Sequence, residues 1–120
     1  MKIFASTIAV FFVAACTGAP RQSREGAAIF VDPSAFVGRQ VRLCGYIHDT
    51  FEDSNIWPTT RAARTDGSGL GLISDRSSHA PGALHNRNTC IDVEIVRTGC
   101  GQEVICDWSH FEYAARVRYE

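Results

Sequence analysis

Five cysteines, at positions 16, 44, 90, 100 and 106, constrain this chain more than any other feature. Cys16 closes an apolar stretch near the start, and the other four are spread through the rest of the sequence. An even set in a small exported chain reads as disulfides, whereas in a reducing compartment it reads as metal ligands or catalytic thiols. Zinc sites present close pairs such as Cys-x₂-Cys, and no two of these cysteines stand at that spacing. The set therefore points to two bridges. Four cysteines allow three pairings, and the sequence alone leaves all three open. A chain of 120 residues is also short enough to gain materially from covalent staples.

The N-terminus supplies the compartment that bridges need. Met1-Lys2 is a charged start, followed by an uncharged apolar run from Ile3 to Ala15. The run is shorter than the roughly 20 residues a spanning helix requires, and it has the features of a secretory signal peptide. Its end, Val13-Ala14-Ala15-Cys16, resembles the lipobox of bacterial lipoproteins: an aliphatic residue, two small residues and the cysteine. That resemblance implies cleavage before Cys16, a diacylglycerol on its sulfur and acylation of the new amino group.

An ordinary signal peptide, cut after an Ala-x-Ala-like site, is the alternative, and it leaves Cys16 as an odd thiol. Lipidation accounts for the odd cysteine. Residues 1–15 are accordingly read as signal peptide and 16–31 as a lipidated N-terminus and flexible linker, with Thr17-Gly18-Ala19-Pro20 showing no periodicity. Several acyl chains hold a protein on a membrane far better than one. Thr17, rather than Asp, after the lipidated cysteine implies, by resemblance to known sorting behaviour, the outer membrane of a cell that has two. The expected location is the periplasmic side of a bacterial membrane.

Charge excludes one large class of function. Lysine and arginine total 12 against 13 acidic residues, Lys2 is the only lysine, and the net charge is −1. Nucleic-acid binding usually shows as a basic patch or a high pI, so no nucleic-acid partner is expected.

From residue 32 on, the chain reads as one all-β domain. Asp32-Pro33-Ser34-Ala35-Phe36 places a capping residue before a proline, the signature of a short helical turn. Periodicity then switches to two. Over residues 40–48, Val41, Leu43, Gly45 and Ile47 fall on one face, and Arg42, Cys44, Tyr46 and His48 on the other. The glycine marks a bulge or a bend. Asn55-Ile56-Trp57 reads as a short second strand stopped by Pro58, and residues 59–69 as a polar loop. Leu70 to Ile73 is a third strand, and residues 74–88 an irregular connection. In the fourth strand, residues 89–96, Ile91, Val93 and Ile95 oppose Cys90, Asp92 and Glu94. Residues 111–119 form the last strand, with Phe111, Tyr113, Ala115, Val117 and Tyr119 on one face.

Five short strands with one long connection between the third and fourth suggest a small closed barrel like the oligonucleotide/oligosaccharide-binding (OB) fold. A five-stranded sandwich is the alternative. The arrangement also resembles a loose group of small, mostly uncharacterised exported bacterial proteins with such barrels. The residues that carry this resemblance are Gly38, Val41, Gly45 and Tyr46, then Glu52-Asp53 and Asn55-Ile56-Trp57. It covers roughly residues 33–120 and implies a fold and no activity. The OB-like barrel makes the first and fourth strands neighbours, which implies a Cys44–Cys90 bridge across them and a local Cys100–Cys106 loop.

No catalytic constellation emerges. Gly67-Ser68-Gly69-Leu70-Gly71 lacks a lysine and opens no helix, and Gly-x-Ser-x-Gly is absent. His48, His79, His85 and His110 stand at no metal-specifying spacing, and neither metal nor cofactor is expected. His48, Asp49 and Asp53 could serve a small cation-dependent or hydrolytic enzyme, although a charged turn leaving a strand is the commoner meaning of such residues. The candidates for recognition are Arg42, Tyr46, Asn55 and Trp57, because aromatic residues beside arginine are typical of binding hot spots and the second and third strands form the usual ligand face of this barrel. For Trp57, a cap on the barrel core is the commoner role of a tryptophan in a small domain. The function expected from the sequence is a non-enzymatic envelope lipoprotein that binds an envelope protein or a small ligand.

Overall fold

The computed structural model describes residues 21–50, 53–74, 84–101, 104 and 106–118. The expected signal peptide and lipidated Cys16, the expected tether up to Pro20, Glu52, His79 and Tyr119 lie outside these residues. The elements are α1 (Arg24–Val31), a 3-10 turn (Pro33–Phe36), β1 (Gln40–Asp49), β2 (Ser54–Trp57), α2 (Thr60–Arg64), β3 (Leu70–Ile73), β4 (Arg87–Arg97) and β5 (Tyr113–Val117).

The strands close into a five-stranded barrel in the order β1-β2-β3-β5-β4, with β4 returning to β1. All neighbours are antiparallel except β3 and β5. The expected OB-like barrel is the fold. Both disulfides follow the pairing it implied, Cys44–Cys90 and Cys100–Cys106. Cys44 and Cys90 face each other directly in the β1–β4 register.

Period-two patterning works as read in the long strands. Leu43, Ile47, Val93 and Ile95 are fully buried, and with Ile56, Leu70 and Leu72 they fill the barrel. Strand β5 departs from the pattern, because Ala114 and Ala115 are both fully buried. The outer side of the barrel is covered nearby: the segment from Asp107 to Phe111 crosses the outer face of β2 and β3. Ser54 N–H donates to the Trp108 carbonyl at 2.8 Å, and a Cβ on Gly71 would stand 2.9 Å from both Ser109 Oγ and Trp108 Cζ3.

Two helices stand where the sequence reading placed linker and loop. Helix α1 occupies the end of the supposed 16–31 linker. Its N-cap Ser23 accepts the Gly26 N–H at 2.9 Å, and Ile29 and Phe30 enter the core cluster. Helix α2 sits inside the supposed polar loop, capped by Thr59, whose side chain accepts the Ala62 N–H at 3.0 Å. Asp32 precedes the 3-10 turn but makes no side-chain cap; its carboxylate accepts the Ser34 hydroxyl instead. Ile29 decides whether α1 belongs to the fold. Ile29→Ala should destabilise the domain by about 3 kcal/mol, as for other buried truncations, measured by urea denaturation. A loss below about 0.5 kcal/mol would return α1 to the tether.

Candidate functional site

Alternation puts Cys44, Tyr46 and His48 on the outside of β1, and the β1–β2 register sets Tyr46 opposite Trp57 and His48 opposite Asn55. Pro58 and Thr59 then turn the chain into α2, which packs against β1 and β2. Between this helix and the two strands lies a cleft of about 320 Å³, lined among others by Tyr46, His48, Asp53, Trp57 and Arg64. Tyr46 is half-buried, and its hydroxyl donates to Asn86 Oδ1 at 2.7 Å. Asn86 can hold that position because it adopts φ +60°, a conformation that asparagine tolerates better than most residues.

His48 and Asp53 face each other across the cleft, with Nε2 and Oδ2 3.7 Å apart. The His48 ring stands edge-on to His85 at 4.8 Å between centroids. His85 Nδ1 accepts the Asp49 backbone N–H at 3.0 Å, which places the proton of a neutral His85 on Nε2.

The structure brings together two of the four recognition candidates. Tyr46 and Trp57 share the cleft, whereas Arg42 lies about 13 Å back along β1 at the usual rise per residue and is paired with Asp92 at 3.2 Å. Asn55 is only 1% exposed; its Oδ1 accepts the Ser109 hydroxyl at 2.6 Å and its Nδ2 donates to Asp53 Oδ1. That amide anchors the crossing segment and leaves little of itself to a ligand. Asn55→Ala should therefore destabilise the fold by roughly 2 kcal/mol, since it strands a buried hydroxyl. An unchanged melting temperature would free Asn55 for a role in recognition.

Trp57 is 6% exposed and belongs neither to an open platform nor to the barrel core cluster. It lies on the outer face, against Gly69 and edge-on to Phe111 at 6.1 Å, with one edge at the cleft. Its indole N–H is buried and makes no hydrogen bond among the described residues.

The hydrolytic trio separates. Asp49 points inward, is 1% exposed and accepts the Ser54 hydroxyl at 2.9 Å, whereas His48 and Asp53 point outward. Among the described residues, no three His, Cys, Asp or Glu side chains converge as metal ligands.

Arg64, like Thr60 and Ala63, is a cleft residue that the sequence reading missed, because α2 itself was missed. The Thr59 cap ahead of two alanines was the available signal. A larger hollow, about 840 Å³, lies beside the Cys100–Cys106 loop. Among its described lining residues Arg97 is already paired with Glu112 at 2.9 Å, and His110 stands 3.2 Å from Asp66, so the hollow offers less to a ligand than the α2 cleft. No protein-family model, curated protein or solved structure matches the chain.

Proposed function

We propose that this barrel is a non-enzymatic binding module of the bacterial envelope, anchored by lipid on Cys16 to the periplasmic side of a membrane, the outer one where the cell has two. The cleft between α2 and the β1–β2 outer face is its binding surface, for an envelope protein or a small ligand. One observation carries the reading: Tyr46 and Trp57 are directly opposed on β1 and β2 and both border that cleft, beside Arg64. Aromatic and arginine side chains in a concave site are the usual anchors of recognition, and strand β2 belongs to the ligand face of OB barrels. The burial of Asp49 away from His48 and Asp53 weighs against a hydrolytic use of those three groups.

Photocrosslinking in intact envelopes tests the reading. A photoreactive group at Thr60 should capture a discrete partner, and Tyr46→Ala should reduce the yield about tenfold, as the loss of one anchor does. Tyr46 is the better variant, since truncating the enclosed Trp57 also disturbs packing. Capture that survives Tyr46→Ala would move the site elsewhere. The anchor is tested by intact mass: a chain beginning at Cys16 and carrying acyl mass supports it, and an unacylated chain removes it.

A further inference from the structure

Strand β2 ends at Trp57, opposite Tyr46, so the edge of β1 loses its strand neighbour beyond that point. There the Gln22 side chain occupies both backbone groups of Cys44: the Cys44 N–H donates to Oε1 at 3.0 Å, and Nε2 donates to the Cys44 carbonyl. The Arg21 carbonyl lies 3.6 Å from Cys44 Sγ. A primary amide thus stands in for a strand and clasps the incoming chain to the barrel. Tyr46 is two residues farther along β1, about 7 Å away.

The clasp limits reach. Between Cys16 and Gln22 the chain extends at most roughly 20 Å, at about 3.3–3.6 Å per residue. A domain of this size is itself roughly 30 Å across. An acylated Cys16 would therefore keep the clasped edge, with the cleft beside it, at the membrane-proximal end of the barrel.

Charge at this end is unbalanced. Arg39, Arg42, Arg97 and Arg116 each pair with an acid. Arg61 and Arg64, exposed on α2, form no ion pair among the described residues, and neither do Arg21 and Arg24, which flank Gln22. Asp53, the one acid among the described residues of the cleft lining, is already held by the Asn55 amide and faces His48.

We propose that the cleft faces the bilayer and takes the phosphate-bearing headgroup of an anionic phospholipid, with Arg64 in the cleft wall as its phosphate ligand and Arg61, on the same helix but not in that lining, adding positive charge. The proposal rests on the lipoprotein reading above. Guanidinium groups match phosphate in charge and planar geometry, tyrosine favours the headgroup level, and basic groups on a tethered domain add attraction to anionic lipid.

The test uses the full acylated protein purified from membranes, its mass measured first. An unacylated mass overturns the membrane-facing placement before any lipid is added. The acylated protein is then placed in nanodiscs of phosphatidylcholine, with or without phosphatidylglycerol, and amide exchange of the α2 segment is followed. Phosphatidylglycerol should slow exchange about tenfold, the effect of roughly 1.4 kcal/mol of binding, and Arg61→Gln with Arg64→Gln should remove the effect. Equal protection in both discs, or protection that persists in the double variant, overturns headgroup recognition. Equal protection by inorganic phosphate in neutral discs overturns the lipid as the source. Each of these exchange results, unlike an unacylated mass, leaves the lipid anchor itself standing.

Discussion

Replacing Gly45 with alanine is expected to lower the unfolding free energy by about 3 kcal/mol, the upper end for overpacking a tight site. At Gly45 a Cβ would stand 2.2 Å from the Trp57 carbonyl oxygen and 3.1 Å from Ile56 Cγ1. The carbonyl belongs to the residue paired with Tyr46 at the end of β2, so it cannot retreat without opening that pair. Ile56 is fully buried and has no room to move aside. Here β1 passes from having β4 alone as neighbour to having β2 on its other edge, and the two backbones meet too closely for any side chain. Gly67→Ala is the control, because its nearest neighbour, the Ala62 carbonyl, is 3.6 Å away and its φ is not positive. Urea denaturation should show the Gly67 variant within about 0.5 kcal/mol of the native protein. If the Gly45 variant matches it, β1 does not bend where the structure bends it.

The sequence carried the meaning of that glycine only in part. Alternating apolar residues around position 45 marked a half-buried strand, and the glycine marked a bend, but which carbonyl presses on it is a tertiary fact. The same division runs through the domain. β1 and β4 were legible because the period-two pattern is long and clean, as with Val41, Leu43 and Ile47 against Arg42, Cys44 and Tyr46. α1 was not, because its apolar residues are the contiguous Ile29, Phe30 and Val31, a cluster without helical spacing, and Val31 is 84% exposed. The segment over Asn55 and Trp57 has no periodicity at all. Its place depends on the Ser109–Asn55 hydrogen bond and on Phe111 meeting Trp57. For this reason Tyr46 and Trp57 could be picked out as an outward pair, whereas the enclosure of Asn55 and the presence of Arg64 in the cleft could not.

Removing the two disulfides separately should give unequal losses. Cys44–Cys90 spans a sequence separation of 46, and Cys100–Cys106 a separation of 6. In the chain-entropy model, a bridge stabilises by restricting the unfolded state, more so for a longer loop. That gives about 4 kcal/mol for the first bridge and about 2 kcal/mol for the second. Cys44→Ser with Cys90→Ser should therefore cost about twice as much as Cys100→Ser with Cys106→Ser in urea denaturation. The first bridge joins β1 to β4, the pair with the most extensive register in the barrel. If that pairing persisted in the unfolded chain, the bridge would restrict little, and the two variants would lose similar amounts. The predicted inequality is thus also a measurement of how open the unfolded state is. Together the bridges contribute on the order of 6 kcal/mol, comparable with the net stability of about 5–15 kcal/mol of a typical domain. The reduced chain should consequently unfold at a much lower denaturant concentration than the oxidised one. A reduced chain as stable as the oxidised one would sever the link between this fold and an oxidising compartment, and leave the expectation of export resting on the N-terminal pattern alone.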